Sequence, residues 1–374
     1  MDSERINSNQ YMNLMVFFML GGSVLLKSGA SAGSDVWILY SVNWVVGLVF
    51  FAMFYRLSRL HDYRSFPLIF ERCLGKWGGK LLCFFYLSYF LLRFRLIGDT
   101  MTEMASDLLM NGSPNRMTML VLLFAVLYGC SKGLRALGRS AELLLPLTLV
   151  CLLPFFITAF VSDVFTLQNL RPILTGGTTD FWKKFASMTI YPYSELIFFA
   201  MLIVNMNHKD QKGAYRKFVY ASLFATLLLI GISTTNLAIL GRHLAASFKY
   251  PFYNAMMMTG VHGVLERLDP LAVIIIIVCG FYKVSLYAYG FINFLQSFFP
   301  LLKKKWIIPA IGVIIFSFGP GVSFFNDKLI NETVPFRIMV WFHIAIPLVL
   351  WIITEIKRWQ QQKKDVERIS KTLP

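Results

Sequence analysis

Long apolar runs, separated by short polar stretches, repeat along almost the whole chain. Runs of roughly 20 apolar residues, the length a helix needs to cross a bilayer, recur at about 11–31, 36–55, 80–107, 117–131, 140–162, 181–206, 217–240, 270–299, 306–325 and 335–354. The pattern predicts ten transmembrane helices in a single domain: a first group of five over 11–162, a second over 181–354, and a basic tail at 355–374. Composition agrees with this reading. Hydrophobic residues make up 56% of the 374 and charged residues 15%, against about 25% charged in soluble domains.

A net charge of +16 would suit a nucleic-acid partner, but its distribution follows membrane topology instead. With the N-terminus inside, and residues at the ends of spans counted with the segments they adjoin, 23 of the 36 basic residues fall in inner segments and nine in outer ones; the other four, Lys27, Arg93, Arg95 and Lys283, fall within spans. The positive-inside rule then puts both termini in the cytoplasm. A cleavable signal peptide is not expected. The leader MDSER has two acids and one base where a signal starts positive, and Lys27 interrupts the apolar run.

Soluble-enzyme chemistry is missing from the pattern. The five histidines form no HExxH pair, and no P-loop or GxGxxG motif is present, so an enzyme is not expected. The five cysteines are scattered without CxxC spacing and suit small core positions rather than metal ligation. No cofactor or metal is expected.

The informative residues are those a bilayer excludes, because a charge at mid-membrane costs at least about 2.5–3.5 kcal/mol and so faces the bundle interior. Arg95, Asp99 and Glu103 follow i, i+4 spacing along one stripe of the third span. They suit either a structural ion-pair ladder or a vestibule and proton relay. In the eighth span, Phe281, Val284, Ala288, Phe291 and Ile292 share an arc suited to lipid, whereas Lys283, Tyr287 and Gly290 lie opposite, with Tyr282, Ser285 and Tyr289 adjacent. Lys283 is either a structural lysine on a backbone carbonyl or a fixed ammonium where related transporters bind a cation.

The sixth span contains YPYSE at 191–195, with a proline that would cost about 3 kcal/mol inside an ordinary helix. In transporters such a break is tolerated where freed backbone groups line a cavity. The first span has a matching interruption in MLGGSVLLKSG, where Gly21 and Gly22 permit close approach and Ser23 offers a hydroxyl. Glu195 needs a partner or a proton, and Lys27 and Lys283 are the cations considered for it. Breaks in spans 1 and 6 of ten are what two inverted repeats of five would give.

The order and spacing of INSNQYMNLMVFFMLGGSVL, LGKWGGKLLCFFYLSYF, YPYSE, KYPFYNA with ERLDPL, and FYKVSLYAYG resemble the B subunits of spore germinant receptors. These form the spore permease family within the amino acid–polyamine–organocation superfamily. The resemblance covers about residues 6 to 359. It implies an all-α, LeuT-like fold with broken helices 1 and 6 in the spore inner membrane. A small nutrient, an amino acid or a sugar, would bind there, and receptor A and C subunits would be the partners. The implied pocket maps onto Gly21, Gly22 and Ser23; Phe94 and Gly98; Tyr191, Pro192, Tyr193, Ser194, Glu195 and Leu196; and Ser285, Tyr287 and Tyr289. Charge coupling falls to Lys27, Arg95, Asp99, Glu103 and Lys283. A proton-coupled amino acid permease is the competing expectation, since a sensor can keep a transporter's scaffold.

Overall fold

The computed structural model describes residues 4–25, 29–109, 114–174, 177–260, 267–299, 302–317 and 338–372. Lys27 lies outside these residues. The described chain is helical, with one isolated bridge between Ile6 and Met206. Its main helices are α1 (Ser8–Leu25), α2 (Val36–Leu60), α3 (Phe66–Leu109), α4 (Asn115–Lys132), α5 (Leu134–Val161), α6 (Gly177–Met188) and α7 (Ile197–Leu202). They are followed by α8 (Ala214–Ser247), α9 (Pro251–Met258), α10 (Asp269–Phe298), α11 (Lys304–Ser317) and α12 (Ile346–Thr372).

Seven segments among the described residues are long and apolar enough to cross a bilayer: Ala32–Leu60, Phe66–Leu109, Leu134–Val161, Gly177–Asn205, Ala214–Ser247, Asp269–Phe298 and Ile338–Lys363. The chain is an integral membrane protein. At the other three expected spans stand α1, α4 and α11, of 18, 18 and 14 residues. Large apolar side chains such as Val49, Phe124, Leu143, Ile157 and Phe160 are mostly exposed. A surface of this kind suits hydrocarbon and not water.

Two glycines bend helices just outside the spans that the hydrophobic pattern marks. Gly75 in α3 and Gly241 in α8 have φ of 77° and 69°, a conformation that L side chains rarely adopt. α3 starts at Phe66, well before the expected 80, with its first nine residues, about two and a half turns, set off by Gly75. The KYPFY segment forms the short helix α9, as its proline at the first helical turn favours.

α1 and α10 form the centre of the bundle. Residues 14–22 of α1 and 282–292 of α10 are buried throughout, which suits helices that are apolar on nearly every face. The expected lipid arc of α10 is therefore a correction: Val284, Ala288 and Ile292 are each about 1% exposed, because α3, α4, α5 and α1 surround the helix. Two glycines set the approach of α1 to α10. A Cβ on Gly21 would lie 2.5 Å from the Cys279 carbonyl oxygen, and one on Gly22 would collide with the Lys283 ammonium. At Gly21–Gly22 themselves the expected interruption is absent, since α1 stays α-helical through both; Leu26, Lys27 and Ser28 of the same stretch lie outside the described residues. These glycines serve packing rather than unwinding.

Candidate functional site

The break in the sixth span is present and starts from proline chemistry. The residue before a proline is pushed out of the helical region, and Tyr191 takes φ −117° and ψ 117°. α6 opens into a wide turn over Thr189–Tyr193, tightens over Ser194–Leu196, and resumes as α7.

One side of the break is fastened to α2 and α8 by neutral groups. Thr189 donates to the Asn43 side chain, and the Tyr193 hydroxyl meets the Tyr40 carbonyl and Thr226 Oγ1, each at 3.0 Å. The Tyr193 ring packs where Gly47 leaves no side chain. Tyr193 therefore turns away from Tyr191, so these two residues of the implied pocket face different sides of the break.

The other side carries charge. Glu195, 1% exposed, binds Lys283 from α10 through Oε2 and Arg93 from α3 through Oε1, and Oε1 also accepts from the Tyr287 hydroxyl at 2.9 Å. Arg93 donates to the Tyr191 hydroxyl at 2.9 Å, and its guanidinium lies 5.2 Å and 5.3 Å from the Tyr191 and Tyr287 ring centres. The Lys283 ammonium sits 4.5 Å from the Phe18 ring centre on α1. Thus α1, α3, the break and α10 meet at one carboxylate. Two buried cations share that single anion, a ratio that makes Glu195 indispensable to the cluster.

A neutral chain of hydrogen bonds adjoins it. Ser194 donates its only hydroxyl proton to the Ile190 carbonyl at 2.9 Å, so at its 2.8 Å contact with His343 it accepts from Nδ1–H. The His343 Nε2 lone pair then accepts a hydrogen bond from the Tyr89 hydroxyl across 2.5 Å. Tyr89, Glu195, Tyr287 and His343 border a cavity of about 220 Å³.

The remaining expected residues do not converge here. Arg95 pairs with Asp99 at 2.7 Å and donates to the Ile315 carbonyl at 3.0 Å, while Glu103 binds Lys249 at 2.8 Å beside Asp107. The stripe separates into a half-buried pair and an exposed one. Phe94 and Gly98 border a separate cleft of about 280 Å³ with α4 and α11. Ser285 is buried toward α4, its carbonyl accepting from the Cys130 thiol at 3.4 Å. Tyr289 instead binds Glu4, which also pairs with Lys304. Leu196 is core, and Ser23 borders a third cavity beyond Gly22.

Of the two cations considered for Glu195, Lys283 is a partner and Lys27 lies outside the described residues; Arg93 is a further partner. Arg93 stood among the intramembrane charges of the sequence, but its pairing needs the placement of α3 against the break in the sixth span, which spacing does not contain. Tyr89 and His343 were missed. A signal existed for His343: the bilayer cost that singles out lysines applies also to a histidine inside an apolar run.

The profile of a family described as spore germination protein matches residues 5–319. The chain belongs to the spore permease family. Among proteins of this family, it is 26% identical to spore germination protein KB of Bacillus subtilis over 99% of its own length and 100% of that protein. It is 24% identical to spore germination protein A2 of the same organism over 95% of this chain and 96% of that one. For spore germination protein YndE the identity is 22% over 95% and 98%. The spore permease match covers α1 to α11 and so includes Glu195, Arg93 and Lys283; His343 lies beyond it.

Proposed function

We propose that the chain is the nutrient-sensing membrane subunit of a spore germination receptor. It binds a small nutrient, an amino acid or a sugar, within a transporter-like scaffold and signals to A and C subunits without enzymatic turnover. The scaffold is a ten-span, LeuT-like pair of five-helix repeats in the spore inner membrane, with both termini in the cytoplasm. Glu4 beside Lys304, and Arg5 3.2 Å from His208, favour this orientation, since all four belong to segments expected inside.

The observation that carries the reading is the broken sixth span, whose Glu195 ties α3 and α10 together. A ligand that shifts this break changes how those helices sit against each other. The test is Lys283→Met in spores that lack the native gene, because this change leaves one cation facing one carboxylate. Normal membrane abundance with a lost nutrient response is expected. A full response would remove the cluster from signalling.

The Tyr89–His343–Ser194 chain beside Glu195 favours a second reading, a proton-coupled amino acid permease. Uptake of labelled amino acids into proteoliposomes under a pH gradient separates the two. Accumulation above the no-gradient control would favour transport.

A further inference from the structure

Cations gather without matching carboxylates where α2 ends and α3 begins. α12 passes this junction and fastens it: His61 touches Thr354 at 3.1 Å, Cys73 Sγ lies 3.3 Å from Thr354 Oγ1, and the Lys357 ammonium donates to the Arg72 and Cys73 carbonyls at 2.9 Å each. Residues 56–80 and 355–363 hold nine Lys and Arg against three carboxylates, Asp62, Glu71 and Glu355, and Glu355 is taken by Arg56. Arg64, Arg72, Lys76, Lys80 and Arg358 are exposed and form no salt bridge among the described residues. Burial first, then Arg72, and after it Lys357 and Arg64 disfavour a proton on His61, so three cations surround one imidazole, with Asp62 opposing them. The other end of α3 is different, since Lys249 there lies 2.8 Å from Glu103 and 2.7 Å from Asp107.

The basic surface runs directly into an apolar one. Past Gly75, Trp77 is 86% exposed, and Leu81 and Phe84 follow it at helical spacing, each more than half exposed. Lys76 and Lys80 form a second stripe, one residue round the helix from the first. A tryptophan at the margin of an apolar stripe is characteristic of the headgroup level of a bilayer. Lysines in the next stripe can lay their stems along hydrocarbon and carry their ammonium groups to the phosphates. Trp359, 65% exposed, stands beside Arg358 on α12 in the same way.

We propose that the junction of α2, α3 and α12 binds the phosphate groups of anionic phospholipids in the adjoining leaflet, with Arg64, Arg72, Lys76 and Lys80 as the phosphate-facing cations. The lipid supplies the negative charge that Glu103 and Asp107 supply to Lys249. An acidic protein could neutralise the same cations, but the exposed Trp77, Leu81 and Phe84 stripe asks for acyl chains beside the anion, and a phospholipid brings both in one molecule. The inference does not depend on nutrient sensing. It bears on the charged cluster, because a lipid held here ties α3, which carries Arg93 further along, to α2 and α12 at one end.

The test is thermal unfolding of the full-length protein in detergent, titrated with phosphatidylglycerol, phosphatidylcholine or inorganic phosphate. Phosphatidylglycerol is expected to raise the midpoint by mass action at concentrations where the other two do not, and high salt should weaken its effect. Arg64→Gln with Arg72→Gln, and separately Lys76→Gln with Lys80→Gln, should each raise the phosphatidylglycerol concentration needed for the same shift by about tenfold or more, since one cation near a membrane surface is worth about fivefold. Arg116→Gln with Lys183→Gln, exposed cations away from the junction, should leave that concentration unchanged. The lipid-free midpoints of both junction pairs should hold, because exposed side chains outside any salt bridge are replaced; should one pair fail to fold, the other decides. Equal shifts with phosphatidylglycerol and phosphatidylcholine overturn the inference and leave the cations to an acidic protein. A shift that inorganic phosphate reproduces at the same concentration, or a phosphatidylglycerol preference that survives both junction pairs, overturns it as well.

Discussion

Glu195→Gln, Lys283→Met and Arg93→Met should differ sharply in stability, although each removes one member of the same cluster. Arg93 and Lys283 are 3% and 0% exposed and share the carboxylate of Glu195, itself 1% exposed. Lys283→Met removes one hydrogen bond to a charged group, worth about 1.5–3 kcal/mol, but also the desolvation cost of one ammonium, and it leaves Arg93 and Glu195 balanced. A net loss of about 2 kcal/mol or less is expected, since replacing buried charge by an apolar group of similar volume is often close to neutral. Arg93→Met leaves Lys283 and Glu195 balanced in the same way. Glu195→Gln keeps the shape yet leaves two buried cations facing no anion, and stranding a buried charge costs about 3–5 kcal/mol.

Thermal unfolding of the purified variants measures the ranking, with Glu195→Gln expected lowest by a clear margin. Adding Lys283→Met to Glu195→Gln should then recover stability, because it removes one of the stranded cations. A purely hydrogen-bonded cluster behaves differently: a glutamine in place of Glu195 can still accept from Tyr287, and the single changes should cost similar amounts. Midpoints for Glu195→Gln at or above those of Lys283→Met, or a double variant less stable than Glu195→Gln, would refute the charge argument.

Two glycine substitutions should act in opposite directions. Gly21→Ala sets a methyl 2.5 Å from the Cys279 backbone oxygen and should lower the unfolding midpoint, by about 1–3 kcal/mol of overpacking. Gly98→Ala meets nothing within 4 Å and should be neutral or stabilising by up to about 1 kcal/mol of helix propensity. At the α2–α12 contact, burial and then Arg72 hold the His61 imidazole below its usual range, with Lys357 and Arg64 adding to this and Asp62 opposing it. His61 touches Thr354 at 3.1 Å, and a depressed folded-state pKa means stability is unaffected above the unfolded value of about 6.5 and falls as pH drops below it. Unfolding midpoints measured between pH 8 and 5 should show that fall, and His61→Gln should flatten it.

The helical, membrane-spanning architecture was legible because apolar run length is a one-dimensional signal, and so was the sixth-span break, because Pro192 acts on its own neighbours. The Gly21–Gly22 pair misled for the same reason. Glycine marks either a break or a close approach, and only the position of Cys279 and Lys283 on a helix more than 250 residues later distinguishes them. Lys283 could be assigned to the protein-facing arc of α10, but the lipid-facing arc opposite could not be checked without knowing that other helices cover it. Arg95, Asp99 and Glu103 read as one stripe because their spacing is local; their separation is caused by Ile315 and Lys249, which belong to other segments.

The two sides of the break also divide its work. Thr189 and Tyr193 hold it to α2 and α8 through uncharged hydrogen bonds, which depend on the surrounding dielectric less steeply than ion pairs do. Glu195 holds it to α3 and α10 through ions, whose interaction depends steeply on the dielectric and on access of water. A shift that wets the cluster weakens only the second set of contacts, so the break stays with α2 and α8 while α3 and α10 are released. Tyr193→Phe should therefore loosen the anchored side, lowering stability by about 1 kcal/mol through one lost hydrogen bond partner set, whereas Tyr287→Phe, which removes a donor from Glu195 Oε1, should change the nutrient concentration needed for response more than it changes the unfolding midpoint. Equal effects of the two variants on both measurements would mean that the break moves as one rigid piece.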